Sequence, residues 1–305
     1  MNYRHHFHAG NFADVMKHAL LVQLVRALQR KPGGFLYLDT HAGAGSYDLA
    51  RARQGASHAR QPEHPDGIGR LWARDDLPLG LDEYVGLVRR FDPRNADAAA
   101  PRVYPGSPWF VRKLARPQDR MALCEREAGE HLALTRSFAQ EERVSIHGTD
   151  GYVALRGMLP PPEKRALALV DPPFESQDEI KEIVGALGEA LRRFPTGVYA
   201  IWYPLTGRVK AAALFDGLRD LPLLPPTLVA DLIVDPESAR MTGCGLVVLN
   251  PPFEFDHEAE SILRYLARAL AQTRGASATV RWLATERRVR KKSAPPPGRA
   301  LRSRR

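Results

Sequence analysis

Short apolar runs of strand length alternate with amphipathic helical segments along the second half of the chain, and this alternation restricts the fold more than any other feature. The strand-length runs lie at residues 121–124, 144–147, 166–170, 197–202, 227–234, 245–249 and 278–283. Helical spacing of apolar residues occurs at 177–194, 208–221 and 258–271. The pattern predicts an α/β fold with a doubly wound, mostly parallel sheet. Because fewer helices separate the strands after residue 227, we expect an antiparallel edge.

The N-terminal part of the chain continues the pattern around an interruption. An apolar residue recurs at every fourth position in residues 12–30, which predicts a helix with the stripe Phe12, Met16, Leu20, Leu24 and Leu28. An apolar strand at 35–38 then runs into a glycine-rich turn. Residues 48–103 are polar and show helical spacing only at 67–74 and 81–91, which predicts a helical insertion subdomain within a domain of residues 1–47 and 104–285. After it, Ser107 is expected to cap a helix whose first residue is Pro108.

Composition excludes several classes of protein. A chain of 305 residues, 44% of them hydrophobic, can bury a large core. No apolar stretch reaches the roughly 20 residues that span a bilayer, and the N-terminus lacks the apolar segment of a signal sequence. Cys124 and Cys244 both lie in apolar runs, which is typical of reduced, buried thiols. We therefore expect a cytoplasmic protein that is not associated with a membrane.

The positive charge is concentrated at the C-terminus. The chain carries a net charge of +9, and residues 286–305 hold nine Lys and Arg against one acid. The rest of the chain is therefore almost neutral. We expect this tail to be disordered, and it either binds phosphate groups through counterion release or serves only to keep the protein in solution.

Acidic residues follow three of the predicted parallel strands, at the edge of a doubly wound sheet where ligands bind. Asp39 opens the glycine-rich turn 39–45, Glu125 follows the strand at 121–124, and Asp150 precedes Gly151 after the strand at 144–147. Each acid alone is more consistent with a solvated strand end, whereas three together indicate a site for ribose hydroxyls and an adenine amine. Small residues such as Gly43 let the backbone approach a ligand closely. A dinucleotide fingerprint would need glycine at position 48, which is aspartate, and this argues against NAD.

The run from Asp171 to Phe174, Asp-Pro-Pro-Phe, follows a fourth apolar strand. Proline lacks a backbone donor, so this turn presents acceptors. The Asp171 carboxylate and the Pro172 carbonyl can accept both hydrogens of a ring amine, while Phe174 offers a face for the ring. Two such acceptors would localise the amine lone pair for attack on a methyl group. A related run, Asn-Pro-Pro-Phe, begins at Asn250, but it comes after the central strands and we expect it to be structural.

Aromatic, imidazole and cationic side chains alternate at the N-terminus in Tyr3, Arg4 and His5. Such a mixture can grip phosphates and stack on bases, as in readers of single-stranded RNA. The three histidines at 5, 6 and 8 also raise the possibility of a metal, but nearby cysteines and acids with ligand spacing are missing, so we expect no metal. Lys17 lies on the predicted helix 12–30, where the pattern alone predicts a solvated side chain.

A family resemblance rests on residues spread over positions 1–285. The chain resembles the bacterial 23S ribosomal RNA adenine-N6 methyltransferase J family in Tyr3-Arg4-His5, Phe7-His8-Ala9-Gly10-Asn11, Ala13-Asp14-Val15, Lys17-His18, Leu36-Tyr37-Leu38-Asp39-Thr40-His41-Ala42-Gly43-Ala44-Gly45, Tyr104-Pro105-Gly106-Ser107-Pro108, Asp150-Gly151, Asp171-Pro172-Pro173, Trp202-Tyr203-Pro204, Met241-Thr242 and Asn250-Pro251-Pro252. The N-terminal runs are the most discriminating, because many amine methyltransferases share Asp-Pro-Pro-Phe. Phe174 stands where the family often carries tyrosine.

The resemblance implies a Rossmann-like class I methyltransferase that uses S-adenosyl-L-methionine. It implies that the residues in contact with the cofactor are His18, His41, Ser107, Glu125, Asp150 and Gly151. Asp171 would be the catalytic acceptor, Lys17 would lie near the cofactor and the active site, and Tyr3 would contact RNA. We also expect Asp39 and Gly43 to bind the cofactor, because they lie in the glycine-rich turn.

The expected reaction is transfer of a methyl group from S-adenosyl-L-methionine to N6 of one adenosine in 23S rRNA. We expect a monomer that acts on free or incompletely assembled rRNA. Two alternatives remain open at this point. One is a DNA adenine-N6 or protein glutamine methyltransferase, and the other is an rRNA-binding assembly factor without catalytic activity.

Overall fold

A computed structural model describes residues 7–54, 61–207, 211–285 and 288–289. The predicted RNA contacts Tyr3, Arg4 and His5 lie outside the described residues, as does almost all of the basic tail. Within the described ranges, every helix falls short of the length or the apolarity that a bilayer crossing requires.

Strands and helices alternate through most of the chain. The strands are β1 (Leu36–Asp39), β2 (Ser46–Asp48), β3 (Val103–Pro105), β4 (Arg120–Cys124), β5 (Val144–His147), β6 (Ala166–Val170), β7 (Val198–Thr206), β8 (Leu223–Leu224), β9 (Thr227–Ile233), β10 (Met241–Leu249), β11 (Ser277–Ala284) and β12 (Arg288–Val289). The helices are α1 (Phe12–Gln29), α2 (Leu49–Gln54), α3 (Ile68–Leu71), α4 (Leu79–Phe91), α5 (Pro93–Ala96), α6 (Ser107–Leu114), α7 (Ala128–Ser137), α8 (Gly151–Gly157), α9 (Glu179–Arg193), α10 (Ala211–Arg219) and α11 (Phe255–Ala269).

Eight of these strands form one sheet in the order β11-β9-β10-β7-β6-β1-β4-β5. The five strands β5, β4, β1, β6 and β7 are parallel, and β10, β9 and β11 pair antiparallel at one side. This confirms the predicted doubly wound, mostly parallel sheet with an antiparallel edge. The chain builds outward from β1 to β4 and β5, then returns to β6 and β7 on the other side. The strand order therefore reverses between β1 and β6, where ligands bind in folds of this kind.

Helix α1 is buried on nearly all sides rather than along one stripe. Its N-cap residue is Asn11, whose side chain accepts a hydrogen bond from the Asp14 N–H at 2.9 Å. Sixteen of its 18 residues are buried, among them Lys17 and His18. The helix packs against α4, α6, α11 and β10, which together surround it. The expectation that Lys17 is solvated is therefore wrong, because a second layer of helices covers the polar face of α1.

The segment between β2 and β3, predicted as an insertion, shares its core with α1. Strands β2 and β3 pair antiparallel and close its base. Ile68, Leu71 and Tyr84 are fully buried and belong to the same hydrophobic cluster as Met16 of α1. The segment also holds the chain just before α1, since the Ile68 N–H donates to the Gly10 carbonyl at 2.9 Å. A side chain at Gly67 would overlap Gly10, because its Cβ would lie 2.0 Å from the Gly10 oxygen.

Helix α6 begins one residue earlier than predicted. Its N-cap residue is Gly106, and Ser107 is the first helical residue. The prediction that Ser107 caps this helix is wrong, because the Ser107 hydroxyl instead donates to the Asp39 carboxylate at 2.6 Å.

The second Pro-Pro run lies at the other end of the sheet. Strand β10 is antiparallel to β7, so Leu249 at its carboxyl end pairs with Tyr199 near the start of β7. Asn250 therefore lies near the amino ends of the parallel strands, whereas Asp171 lies at their carboxyl ends. Its side-chain amide donates to the carbonyl oxygens of Pro195 and Gly197 at 3.0 and 2.8 Å, which ties β10 to the loop before β7.

The two cysteine thiols are buried and form no disulfide. Burial and, to a smaller extent, the neighbouring carboxylates together raise the pKa of the Cys124 thiol to about 12. Both features fit the reduced thiols expected from the sequence.

Asn95 fastens the insertion to β3. Its fully buried amide nitrogen donates to the carbonyl oxygens of Val88 and Val103, both at 2.8 Å. Its amide oxygen accepts from the backbone N–H groups of Arg102 and Val103 at 2.8 and 3.0 Å. One side chain thus satisfies four backbone groups.

Replacing Asn95 with alanine is expected to lower the free energy of unfolding by about 3 kcal/mol or more, because each buried polar group left unpaired costs about 1–3 kcal/mol. Urea unfolding followed by tryptophan fluorescence measures the change. Asp97→Ala, two residues away on an exposed side chain, serves as the control and should change stability by less than about 0.5 kcal/mol. A loss below about 1 kcal/mol for Asn95→Ala would contradict this role.

Candidate active site

The glycine-rich turn after β1 lies across the ends of the neighbouring strands. The Thr40 N–H donates to the Leu169 carbonyl of β6 at 3.1 Å, and the Ala42 N–H donates to the Cys124 carbonyl of β4 at 2.9 Å. Gly43 has a positive φ of 59°, where a Cβ would lie 2.3 Å from the Tyr47 hydroxyl. The turn therefore needs glycine at this position and presents its backbone at the switch point of the sheet.

Glu125 contacts this turn directly. Its Oε2 accepts a hydrogen bond from the Gly43 N–H at 2.9 Å, and its Oε1 accepts from the Glu127 N–H at 2.8 Å. Two of the predicted cofactor residues, which are 82 positions apart in the chain, are thus joined by a hydrogen bond.

Asp39 lies beneath the turn rather than at its surface. Its side chain is fully buried, and its Oδ2 accepts from the hydroxyls of Tyr37 and Ser107 at 2.7 and 2.6 Å. Its Oδ1 accepts from the His41 N–H at 3.3 Å. The sequence predicted that the Asp39 carboxylate contacts a ligand. In this structure the carboxylate has no exposed surface, so it cannot make that contact directly. It instead holds Ser107 and His41 in place.

Burial affects the ionisation of Asp39 and His41 in opposite directions. Burial raises the pKa of Asp39 from its ordinary 3.8 to about 6, although hydrogen bonds from Ser107 and Tyr37 oppose the shift. Burial lowers the pKa of His41 from 6.5 to about 4, although the negative charges of Asp171 and Asp150 oppose this change. His41 is therefore a neutral imidazole at neutral pH, and its Nδ1 lies 2.8 Å from the Thr40 hydroxyl.

Asp150 and Gly151 form the third part of the site. Asp150 is the N-cap residue of α8, and its Oδ1 accepts from the backbone N–H groups of Tyr152 and Val153 at 2.8 and 3.3 Å. The exposed Arg126 side chain lies 3.3 Å from its Oδ2. A Cβ at Gly151 would lie 2.2 Å from the Thr40 carbonyl oxygen, so only glycine lets α8 approach the turn after β1.

Asp171 follows β6 and forms an ion pair with Lys17 of α1. Lys17 Nζ lies 2.5 Å from Asp171 Oδ2 and 2.9 Å from Asp14 Oδ1. Burial by itself would lower the pKa of Lys17, but the two carboxylates more than offset it and hold that pKa well above the usual range. Lys17 is consequently a buried ammonium shared between two carboxylates.

Two aromatic residues border Asp171. Phe174 is half-buried and has a φ of +52°, a conformation that non-glycine residues rarely adopt and that tends to occur at binding sites. Its ring meets the Trp202 ring edge-on, with centroids 6.0 Å apart. Pro172, directly after Asp171, is buried. The predicted catalytic residues Lys17, Asp171, Pro172 and Phe174 are thus gathered in one place.

His18, the residue after Lys17 on α1, lies within a chain of hydrogen bonds. Its Nδ1 lies 2.7 Å from the Tyr104 hydroxyl, which lies 2.9 Å from the Tyr84 hydroxyl. The imidazole also packs on Phe110, with ring centroids 4.8 Å apart. Because Tyr84 belongs to the insertion, this chain links the insertion to a predicted cofactor residue.

Several site residues were not found from the sequence. Tyr152 donates to Glu179 at 2.5 Å, which fastens the end of the loop after Asp171 to α8, and its ring meets that of His41 at 5.5 Å. Burial raises the pKa of Glu179. Asp14, Tyr104 and Trp202 were missed as well. These residues belong to the runs that carry the family resemblance. The spacing of residues along the sequence, however, does not reveal contacts between elements that are far apart in the chain.

The arrangement suits a ligand that carries hydroxyls and a positive charge beside a planar ring. Glu125, Asp150 and Asp171 follow the carboxyl ends of the parallel strands β4, β5 and β6, and Gly43 and Gly151 lie in the neighbouring turns. Among the described residues no group of three His, Cys, Asp or Glu side chains could hold a metal ion.

Asp39 and His41 make opposite contributions to the pH dependence of stability. Since the Asp39 pKa is raised on folding, its contribution is present below pH about 4 and is lost as pH rises to about 6. Since the His41 pKa is lowered, its contribution is present above pH about 6.5 and is lost as pH falls to about 4. In Asp39→Asn, the free energy of unfolding should rise more steeply with pH between 4 and 6 than in the wild type. In His41→Gln, the free energy of unfolding should rise less steeply with pH between 4 and 6.5 than in the wild type.

Urea unfolding at half-unit pH steps measures these two slopes. Slopes in both variants that match the wild type would show that neither group titrates differently on folding.

Comparison with known proteins places these features in a family. A family model described as ribosomal RNA large subunit methyltransferase D, RlmJ, matches residues 32–284. The protein named ribosomal RNA large subunit methyltransferase J from Escherichia coli strain K12 is 38% identical over 289 residues, which cover 94% of this chain and 100% of that protein. The protein of the same name from Haemophilus influenzae is 37% identical over 288 residues, with coverage of 94% and 100%.

A solved structure agrees with these relatives. The crystal structure of protein LPL1258 from Legionella pneumophila has 34% sequence identity and a TM-score of 0.81, and the match covers 90% of this chain and 98% of that one. The sheet order and the near full-length matches agree with a Rossmann-like class I methyltransferase fold. The chain therefore belongs to the ribosomal RNA large subunit methyltransferase J family.

Proposed function

We propose that this protein transfers a methyl group from S-adenosyl-L-methionine to N6 of one adenosine in 23S rRNA. The observation that carries the proposal is the turn Asp171-Pro172-Pro173-Phe174 at the switch point of the sheet, with the Asp171 carboxylate held by Lys17 at 2.5 Å. Membership in a family of ribosomal RNA methyltransferases supports RNA as the substrate. The cofactor supplies an electrophilic methyl group on a sulfonium.

The turn after β1 and the residues beside it would hold the cofactor. Glu125 would accept hydrogen bonds from ribose hydroxyls, because an acid at the end of the second strand serves this purpose in related sheets. Asp150 would accept a hydrogen bond from the adenine amine, and the backbone of Gly43 and Gly151 would allow close approach. The neutral His41 ring would border the ligand.

His18 and Ser107 complete the proposed cofactor set. Both side chains are buried, at 2% and 6% exposure, so their contact with the cofactor would involve atoms at the edge of the pocket. Asp39 would act through Ser107 and His41, to which it is hydrogen bonded.

Asp171 and Pro172 would hold the target amine. Lys17 occupies Asp171 Oδ2, so Oδ1 and the Pro172 carbonyl would accept the two amine hydrogens. An aryl amine is a weak nucleophile, because its lone pair is delocalised into the ring. Two acceptors draw the amine towards tetrahedral geometry and localise that pair. As the nitrogen–methyl bond forms and the sulfur–methyl bond breaks, one amine proton leaves through Asp171 or to water.

The aromatic pair would receive the base. Phe174 would stack on the adenine ring, with Trp202 bracing Phe174 from the side. Phenylalanine preserves the ring face that tyrosine offers elsewhere in the family but lacks the hydroxyl. A base inside a duplex cannot reach this turn, so the target adenosine must be unpaired or flipped out of its stack.

Tyr3, Arg4 and His5 would bind the RNA around the target. The chain that follows them is held by Glu63, whose carboxylate lies 2.9 Å from His8 Nδ1 and accepts from the Asn11 amide at 2.8 Å. These two contacts fix His8 and Asn11 beside the start of α1.

Replacing Asp171 with alanine is expected to lower turnover by about a thousandfold or more, because the acceptor for the amine is lost. Binding of the neutral product S-adenosylhomocysteine should stay nearly unchanged, because its contacts with the protein remain. The assay uses radiolabelled S-adenosyl-L-methionine and unmodified large-subunit rRNA, followed by nucleoside analysis for N6-methyladenosine. Asn250→Ala alters the matching Pro-Pro turn at the opposite edge, so the folded variant should methylate at the wild-type rate.

Normal turnover of Asp171→Ala would rule out the assigned site. Cofactor binding without label in rRNA would direct the search to duplex DNA, to glutamine peptides or to an assembled particle, since the Asp-Pro-Pro-Phe chemistry also serves those amines. Failure to bind the cofactor by calorimetry would support an RNA-binding assembly factor.

A further inference from the structure

We infer that Asp14 is a specificity-determining residue, whose charge makes the active site favour the positively charged methyl donor over its neutral product. Asp14 lies on α1 and touches neither of the proposed ligands. It acts through Lys17 on the charge of the site. The inference rests on the proposed use of S-adenosyl-L-methionine as the methyl donor.

Asp14, Lys17 and Asp171 form a buried charge triad. Lys17 Nζ lies between the two carboxylates, 2.9 Å from Asp14 and 2.5 Å from Asp171. The side chains are 4%, 7% and 16% exposed, in that order. Water therefore screens these charges much less than it screens charges on the surface.

The position of Asp14 is fixed on both sides. Its Oδ2 accepts a hydrogen bond from the Gly10 N–H at 3.0 Å, and its Oδ1 faces Lys17. The Asn11 side chain caps the helix at the Asp14 N–H, so the backbone is held as well. The carboxylate cannot turn to solvent without breaking these contacts, and its charge remains beside the active site.

The charges of the triad do not cancel. Asp171 and Lys17 form a neutral pair, and Asp14 adds a second negative charge, so the triad carries a net charge of minus one. Without Asp14, the Lys17 ammonium would neutralise Asp171 next to the place where a sulfonium must sit. With Asp14 present, the triad keeps a net negative charge beside the amine and attracts the sulfonium.

Methyl transfer changes the charge of the bound cofactor. The donor carries a positive sulfonium, whereas the product, S-adenosylhomocysteine, has a neutral thioether in the same place. The two molecules otherwise share every group that the protein can bind. A negative charge near the sulfur therefore stabilises the donor selectively, whereas hydrogen bonds to the ribose, adenine and amino-acid parts stabilise both equally.

The size of the effect follows from the distance. Reacting atoms approach to about 3–3.5 Å, so the sulfur must lie close to an amine that Asp171 holds. The Lys17 ammonium separates the Asp14 carboxylate from Asp171. Asp14 therefore lies roughly 10 Å from the sulfur. A unit charge at that distance, with an effective dielectric constant of about 20, changes an affinity by roughly tenfold.

The test measures the affinities of S-adenosyl-L-methionine and S-adenosylhomocysteine by calorimetry at pH 8 and compares their ratio among variants of the full chain. Asp14→Asn keeps the size and the acceptor oxygen but removes the charge, and its ratio should fall roughly tenfold. Lys17→Met removes the positive charge and should raise the ratio. The double variant returns the triad to a net charge of minus one, and its ratio should recover to near the wild-type value.

Recovery in the double variant separates charge from structural damage, because damage from two substitutions would accumulate. Asp119→Asn is the matched control. Asp119 is 2% exposed and pairs with Arg116 at 3.0 Å, but it lies at the opposite edge of the sheet, so its loss should leave the ratio unchanged.

Two outcomes would overturn the inference. One is an unchanged ratio in Asp14→Asn, and the other is a double variant whose ratio is no higher than that of Asp14→Asn. If neither molecule binds the wild-type protein, the proposed cofactor itself is wrong, which is a distinct result. If Asp14→Asn does not fold, Lys17→Met alone still tests the inference, since an unchanged or lower ratio there contradicts it.

Discussion

The ion pair between Lys17 and Asp171 joins the first helix of the chain to the strand end at the switch point of the sheet. Burying an ammonium is costly unless carboxylates compensate for the lost water, and two carboxylates do so here. Because the two charges must stay in contact away from water, the ion pair fixes how far α1 can slide along β6 and turn about its own axis. The position of His18, the next residue along α1, follows from that placement.

Much of the fold could be predicted because strand and helix periodicities are local. The seven strand-length runs from residue 121 onwards all became strands, and the helices at 179–193 and 255–269 lie close to their predicted bounds. The antiparallel edge followed from the loss of intervening helices. Local spacing failed for Ser107, since a hydroxyl can cap a helix or serve a distant carboxylate, and only the fold brings Asp39 within reach.

The candidate site was predictable where its residues mark strand ends. Glu125, Asp150 and Asp171 lie at the expected edge, because the carboxyl ends of parallel strands meet there. The polar residues of α1 were not predictable from periodicity, since the insertion and α11 cover a face that the pattern leaves polar. The burial of Asp39 was equally hidden, because its partners include Tyr37, two residues before it, and Ser107, 68 residues after it.

The position of α1 also bears on how the protein is made. This helix is synthesised before every strand of the sheet, yet it packs against β10 and α11, which follow much later in the chain. Its apolar sides stay without all their final partners until α11 has emerged. Contacts of such long sequence separation slow folding and prolong the exposure of apolar surface. The surroundings of Lys17 on α1 can therefore be completed only after α11 has been synthesised, and a chain that stops before α11 would leave this helix partly uncovered.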